Sequence, residues 1–223
     1  MKRVLVGAVA VAVVLGGAGG CSAVQEEREV GYAVDGPVRV LVVDSGTGDV
    51  RVSEEGSTVA VTERQEWRGE APEARHELVD GTLTLTYRCP DGDCAVGYVV
   101  RVPAGTRVQV KAGTGSVRLA GLTGDVVADA GTGSVTAERL GSQRAELRAG
   151  TGDVRAGFAV APARVRATAG TGSVRLELPK GQEYAVDAEA GTGEAKVEVP
   201  VRTASGHEVV ARASTGDVTV SAG

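Results

Sequence analysis

The stretch Ala112–Val135 reads AGTGSVRLAGLTGDVVADAGTGSV. It opens and closes on Ala-Gly-Thr-Gly-Ser-Val, and Leu122-Thr-Gly-Asp125 lies midway between the two copies. Each interval between copies therefore holds two short runs and two turns. The motif recurs as Gly46-Thr-Gly-Asp49, Gly113-Thr-Gly-Ser116, Gly131-Thr-Gly-Ser134, Gly150-Thr-Gly-Asp153, Gly170-Thr-Gly-Ser173, Gly191-Thr-Gly-Glu194 and Ser214-Thr-Gly-Asp217. From Gly113 onward the spacings are 18, 19, 20, 21 and 23 residues. A fixed short period of this kind marks stacked repeats.

Alternation around each turn says what faces inward. Val117 and Leu119 flank Arg118, Val174 and Leu176 flank Arg175, and Val218 and Val220 flank Thr219. Before the turns, Val108, Val110 and Ala112 or Val165, Ala167 and Ala169 occupy every second place. Period 2 with one apolar face predicts half-buried strands. The residue ahead of the turn is Ala in six units: Ala112, Ala130, Ala149, Ala169, Ala190 and Ala213. A small residue suits a narrow interior corner, and the glycines permit the positive φ of a sharp bend. One unit cannot bury its own apolar face, so the units stack. The reading is an all-β β-solenoid of two-strand coils of about 18–23 residues, about six coils at about 4.8 Å each. Residues 106–223 are expected to form it. Residues 37–105 are expected to be an N-terminal β region with a Cys hairpin that either caps or continues the stack. An antiparallel sandwich is the competing arrangement.

Composition agrees. Of 223 residues, 33 are Gly and only six are aromatic, so the core must be Val, Ala and Leu. Net charge is −5, and two of the positive charges, Lys2 and Arg3, lie in a segment read as removed. An acidic chain without basic-aromatic patches is not a nucleic-acid binder.

Lys2-Arg3 followed by the apolar run Val4–Leu15 reads as a signal peptide over residues 1–20, too short to span a bilayer. Small residues then lead to Cys21, as in a lipobox, although Ala18 stands where Leu is usual. Cys21 is the expected lipidation site, giving export and a membrane anchor on the extracytoplasmic face. Residues 21–36 are expected to be a tether. Outside the reducing cytoplasm, the remaining Cys89 and Cys94 are expected to pair across Cys-Pro-Asp-Gly-Asp-Cys. Asp91 and Asp93 in that loop are weighed as metal ligands and read instead as turn residues.

These features resemble the bacterial putative-adhesin family of β-repeat domains of unknown function, often found on lipoproteins. The resemblance rests on the reiterated Thr-Gly-Asp/Ser-Val turns and on Tyr98–Val110 (YVVRVPAGTRVQV), and covers roughly residues 37–223. It implies a β-solenoid-like fold and surface display, and carries no catalytic residues.

A search for chemistry returns little. The Gly-Thr-Gly turns lack the Lys and following helix of a phosphate loop. His76 and His207 are isolated and read as surface residues, and Trp67 as a core plug. The column Ser116, Ser134, Asp153, Ser173, Glu194, Asp217 places like charges together only at its end, where Glu194 and Asp217 are weighed as a cation site. The Thr column from Thr114 to Thr215 reads as corner hydrogen bonding. No cofactor is implied. The expected contact face is Arg118, Arg155, Arg175 and Lys196, presented to cell-wall polymer or an envelope protein; oligomeric state is left open. The rival readings are an envelope sensor or regulator and, on fold analogy alone, a polysaccharide-acting enzyme.

Overall fold

In the computed structural model, residues 25–223 and the two-residue strand Val9–Ala10 are described. The expected signal peptide and Cys21 otherwise lie outside the described residues. Among the described residues the regular elements are all strands, in two sheets. In spatial order the first sheet is β1 (Val9–Ala10), β2 (Glu26–Val34), β5 (Val59–Trp67), β8 (Cys94–Val102), β4 (Val50–Glu54), β10 (Val117–Ala120), β12 (Val135–Leu140), β14 (Val154–Phe158), β16 (Val174–Leu178), β20 (Val218–Ala222) and β18 (Ala195–Glu198). The second is β17 (Ala185–Thr192), β19 (Glu208–Thr215), β15 (Arg164–Thr171), β13 (Arg144–Thr151), β11 (Val126–Thr132), β9 (Arg107–Thr114), β3 (Val40–Thr47), β7 (Thr82–Arg88) and β6 (Glu73–Val79).

From β8 to β18 and from β7 to β17 the pairing is parallel and in register, apart from one irregularity in β12 between Ala137 and Leu140. Each Gly-Thr-Gly corner passes the chain from the second sheet to the first. Valines, alanines and leucines from both sheets fill the space between: Val117, Val154, Leu147, Val165, Leu176 and Val218 are all fully buried. The corners lie over one another because both glycines are required. A Cβ on Gly131 would sit 2.6 Å from the carbonyl oxygen of Gly113 one coil away, and Gly133 has φ +136°. The amide of each second glycine donates to the Thr carbonyl of the next coil, as in Gly115 to Thr132 and Gly133 to Thr151, both 2.8 Å. The Thr column is thus bonded through its backbone.

Chain order and spatial order part at both ends. The coil β19–β20 lies between β15–β16 and β17–β18, so Asp217 stands next to Ser173, with Glu194 outermost. The sequence reading had placed Glu194 there instead. The long connection 199–207 lets the chain step back one layer. The inserted coil is the better core former: Val209, Ala211, Val218 and Val220 are fully buried. The displaced coil carries Asp187, Glu189 and Glu198 and is suited to a solvated edge. At the other end, the β7–β8 coil packs outside β3–β4, and its corner is the Cys89–Cys94 loop, closed by a disulfide (Cα–Cα 5.8 Å).

Residues 37–105 therefore both continue and cap the stack. β3, β4, β7 and β8 supply two coils, whereas β5 and β6 run antiparallel to the outer coil and end it. β2 pairs antiparallel with β5, so Glu26–Val34, inside the segment expected as a tether, is a strand of this cap. Among the described residues the stack holds the six coils expected of residues 106–223 and two more from residues 37–105, about 34 Å at ~4.8 Å per coil.

Candidate functional site

The outer face of the first sheet carries the expected contact residues, and register decides how they are grouped. Arg51, Arg118, Thr136, Arg155, Arg175, Thr219 and Lys196 are successive cross-strand partners in one column. Arg155 and Arg175 are direct neighbours. Thr136 separates them from Arg118, and Thr219 separates Lys196 from Arg175, so Lys196 stands apart at the open end. Arg51 was missed, because its coil precedes the regular repeats by one long insertion. The column forms two cation pairs, each about 4.8 Å across, with a Thr between them.

Stacked guanidinium groups repel unless acids are interleaved. The acids come from the corner column two residues earlier. Asp49 meets Arg51 at 3.2 Å and Arg118 at 3.1 Å, and Asp153 meets Arg155 at 2.6 Å. Lys196 pairs along its own strand with Glu198 at 2.7 Å. Each corner aspartate also accepts a backbone amide from the next coil: Asp49 from Ser116 (2.9 Å), Asp153 from Ser173 (2.7 Å) and Asp217 from Glu194 (3.0 Å). The Ser173 amide, followed by Arg155, holds the Asp153 carboxyl below the usual carboxylate range. At Asp49 burial opposes the shift, but the Ser116 amide and Arg118 together still lower it. The Asp217 carboxylate weighed as half of a cation site thus caps the Glu194 amide.

Beside the cation column the face is grooved. Gly157 stands where other strands carry Glu138, Glu177 or Glu198, and β12 bulges between Ala137 and Leu140, with Arg139 at φ +50°. The groove there has a volume of about 530 Å³ and is bordered by Glu138, Arg139, Arg155, Arg175 and Glu177 over a floor at Gly157. A second groove of about 400 Å³ continues past Thr136 and Glu138 towards Arg118, Arg51 and Arg101. Arginines, interspersed with Glu55, Glu138 and Glu177, line the channel that the two grooves form along the sheet face.

The cap holds a polar cluster that the sequence did not disclose. Val59, Val61, Glu63, Gln65 and Trp67 all face inward along β5 and are all buried. The Tyr32 hydroxyl donates to Glu63 at 2.7 Å, Gln65 donates to Glu63 at 2.8 Å, and Arg28 donates to Gln65. Burial, then the Glu63 charge, pushes the Tyr32 hydroxyl well above its ordinary range. Both Glu63 oxygens are committed to donors, so the cluster closes the end of the core. Trp67 is buried beside it with the Arg28 guanidinium 5.4 Å from its ring. His76 is exposed but stacks on Tyr32 at 4.5 Å. His207 is half-buried, its Nδ1 2.9 Å from the Pro162 carbonyl, and is a structural rather than a surface residue. Asp91 accepts the backbone amide of Glu70, from the loop after β5, at 2.8 Å. Among the described residues no three His, Cys, Asp or Glu side chains converge on a point that could hold a metal ion.

The fold defines a parallel two-sheet β stack with Gly-Thr-Gly corners and an antiparallel cap. The family model described as Toastrack DUF4097 matches residues 38–222, and the chain belongs to that family. Among curated proteins nothing matches it. It is similar to a solved structure named as a putative adhesin from Bacteroides fragilis NCTC 9343, at 13% identity and TM-score 0.49, covering 90% of this chain and 98% of that one. It is also similar to one named as a putative cell adhesion protein from Clostridium sporogenes ATCC 15579, at 13% identity and TM-score 0.46, covering 89% of this chain and 100% of that one.

Proposed function

We propose that this chain is a non-enzymatic, lipid-anchored scaffold of the cell envelope that presents the grooved face of its first sheet to an acidic polymer. The observation that carries the reading is the in-register cation column with its channel. Arg155 and Arg175 flank the larger groove, and Arg51 and Arg118 the smaller one. A linear polyanion laid along the stack axis meets guanidinium groups at a repeat fixed by the coil spacing. Guanidinium forks suit the carboxylates or phosphates of such a polymer. Export and anchoring rest on the reading of residues 1–21, with Cys21 as the lipidated residue.

The test is binding of the mature protein to an acidic polysaccharide such as polygalacturonate. Replacing Arg155 and Arg175 together with Ala should weaken binding at least tenfold and flatten its salt dependence. Unchanged affinity and salt slope in the double variant would remove this face from consideration.

A further inference from the structure

The two ends of the stack are finished differently. Antiparallel β5 and β6 close one end, whereas the other stops at the bare coil β17–β18. Positions that are fully buried in inner coils are open there. Val197 is 39% exposed, whereas Val220 and Leu176, its counterparts one and two layers inward, are fully buried. Val186, Ala188 and Ala190 are half-buried along β17.

Among the described residues the backbone of β17 is also unmatched on its outer side. Ala185 donates inward, to His207 of the neighbouring strand's approach, at 2.9 Å. Tyr184 turns the other way: its amide donates to Pro200 and its carbonyl accepts from Arg202, both at 2.9 Å. By the alternation of strand backbone, Val186, Ala188 and Ala190 aim their N–H and C=O groups at the same free side. The chain's own Pro200–Arg202 segment begins a parallel strand there, with a single bridge between Tyr184 and Val201, and then leaves.

Charge says what can complete that strand. The end coil and its flanks carry Glu183, Asp187, Glu189, Glu194 and Glu198 against only Lys196 and Arg202. Asp187 and Glu189 point outward from β17 and share one cation, Arg212, at 2.7 and 3.7 Å. A second copy pairing antiparallel about Ala188 would set Asp187 against Glu189 of the copy, which like-charge cross-strand pairs disfavour. We propose that the free edge of β17 receives an extended basic segment of another protein. That segment adds as a strand, its small apolar residues covering Val186, Ala188 and Ala190 and its Lys or Arg residues lying beside Asp187 and Glu189.

The probe is a labelled peptide alternating Val and Lys over eight residues, with a Val–Glu twin, titrated against the mature full chain. The Lys peptide should bind saturably and at least tenfold more tightly than the Glu twin. Ala188→Pro removes an amide that faces the free edge and leaves the bonds to β19 in place, a position where sheets tolerate Pro. It should cost at least tenfold in peptide affinity with little change in the unfolding midpoint. Should that variant fail to fold, Asp187→Lys with Glu189→Lys should reverse the preference between the two peptides. Equal binding of both peptides, no binding, or full binding by Ala188→Pro would overturn the proposal. So would sedimentation showing a dimer that Ala188→Pro splits, since the occupant would then be a second copy.

Discussion

Replacing Gly133 with Ala tests the stacked corners most directly. Gly133 has φ +136°, and the Cβ of Ala would press into the Gly115 carbonyl of the adjacent coil. Holding a non-Gly residue in that region costs about 1–3 kcal/mol. The clash forces the corner away from its neighbours and weakens the Gly133–Thr151 bond, one of the 2.8 Å bonds that join coils, at about 1 kcal/mol per hydrogen bond. The expected loss is thus about 2–4 kcal/mol, a large fraction of the stability of a domain this size. Gly157→Ala is the control. It has no positive φ, and its new Cβ meets nothing closer than 3.9 Å. It should be neutral within about 0.5 kcal/mol or slightly stabilising through the unfolded state. Urea unfolding followed by the fluorescence of the buried Trp67 and by circular dichroism gives both values. Similar losses in the two variants would refute the claim that backbone approach at the corners, rather than glycine content in general, fixes the stack.

Layer order is tested by Val220→Ala against Val197→Ala. The first, fully buried, should cost about 2–3 kcal/mol in urea unfolding, and the second, 39% exposed, less than about 1; a reversed ranking would contradict the inserted position of β20. The corner acids predict a pH dependence. The Asp153 carboxyl is lowered by the Ser173 amide and then by Arg155, so its stabilisation is present above the unfolded carboxylate pKa of about 4 and is lost as pH falls through the lower folded value. Asp153→Asn should therefore be less stable than the parent at pH 7, with the gap closing below about pH 4. A gap that stayed constant down to pH 2 would mean that the Asp153 charge contributes nothing.

The regular part of this molecule was legible because its causes are local. Gly131 and Gly133 report a close backbone approach, and the alternation Val174-Arg175-Leu176 reports one buried face. Membership of the family followed from the same residues. The order of the last two coils was not legible, since both carry the same corner motif. What separates them is the match of Val209, Val218 and Val220 to an interior layer and of Asp187 and Glu189 to an edge, a comparison between segments rather than a property of either. The cap was hidden for a different reason. Glu63 and Gln65 interrupt the inward apolar face of β5, and their partners Tyr32 and Arg28 come from a segment expected to be a tether. Of the contact face, the types and direction of Arg118, Arg155 and Arg175 could be read ahead. The addition of Arg51 and the channel beside Gly157 required register across strands distant in sequence.

The stepped-back coil β19–β20 has a consequence for synthesis. Residues 185–198 emerge from the ribosome before residues 208–222, yet rest against them. In the finished stack the earlier segment pairs with the later one and not with β15–β16, whose edge the later segment takes. Assembly of this end therefore cannot simply track translation, and the 208–222 segment acts as a keystone: its removal takes away the strands with which β17 and β18 pair.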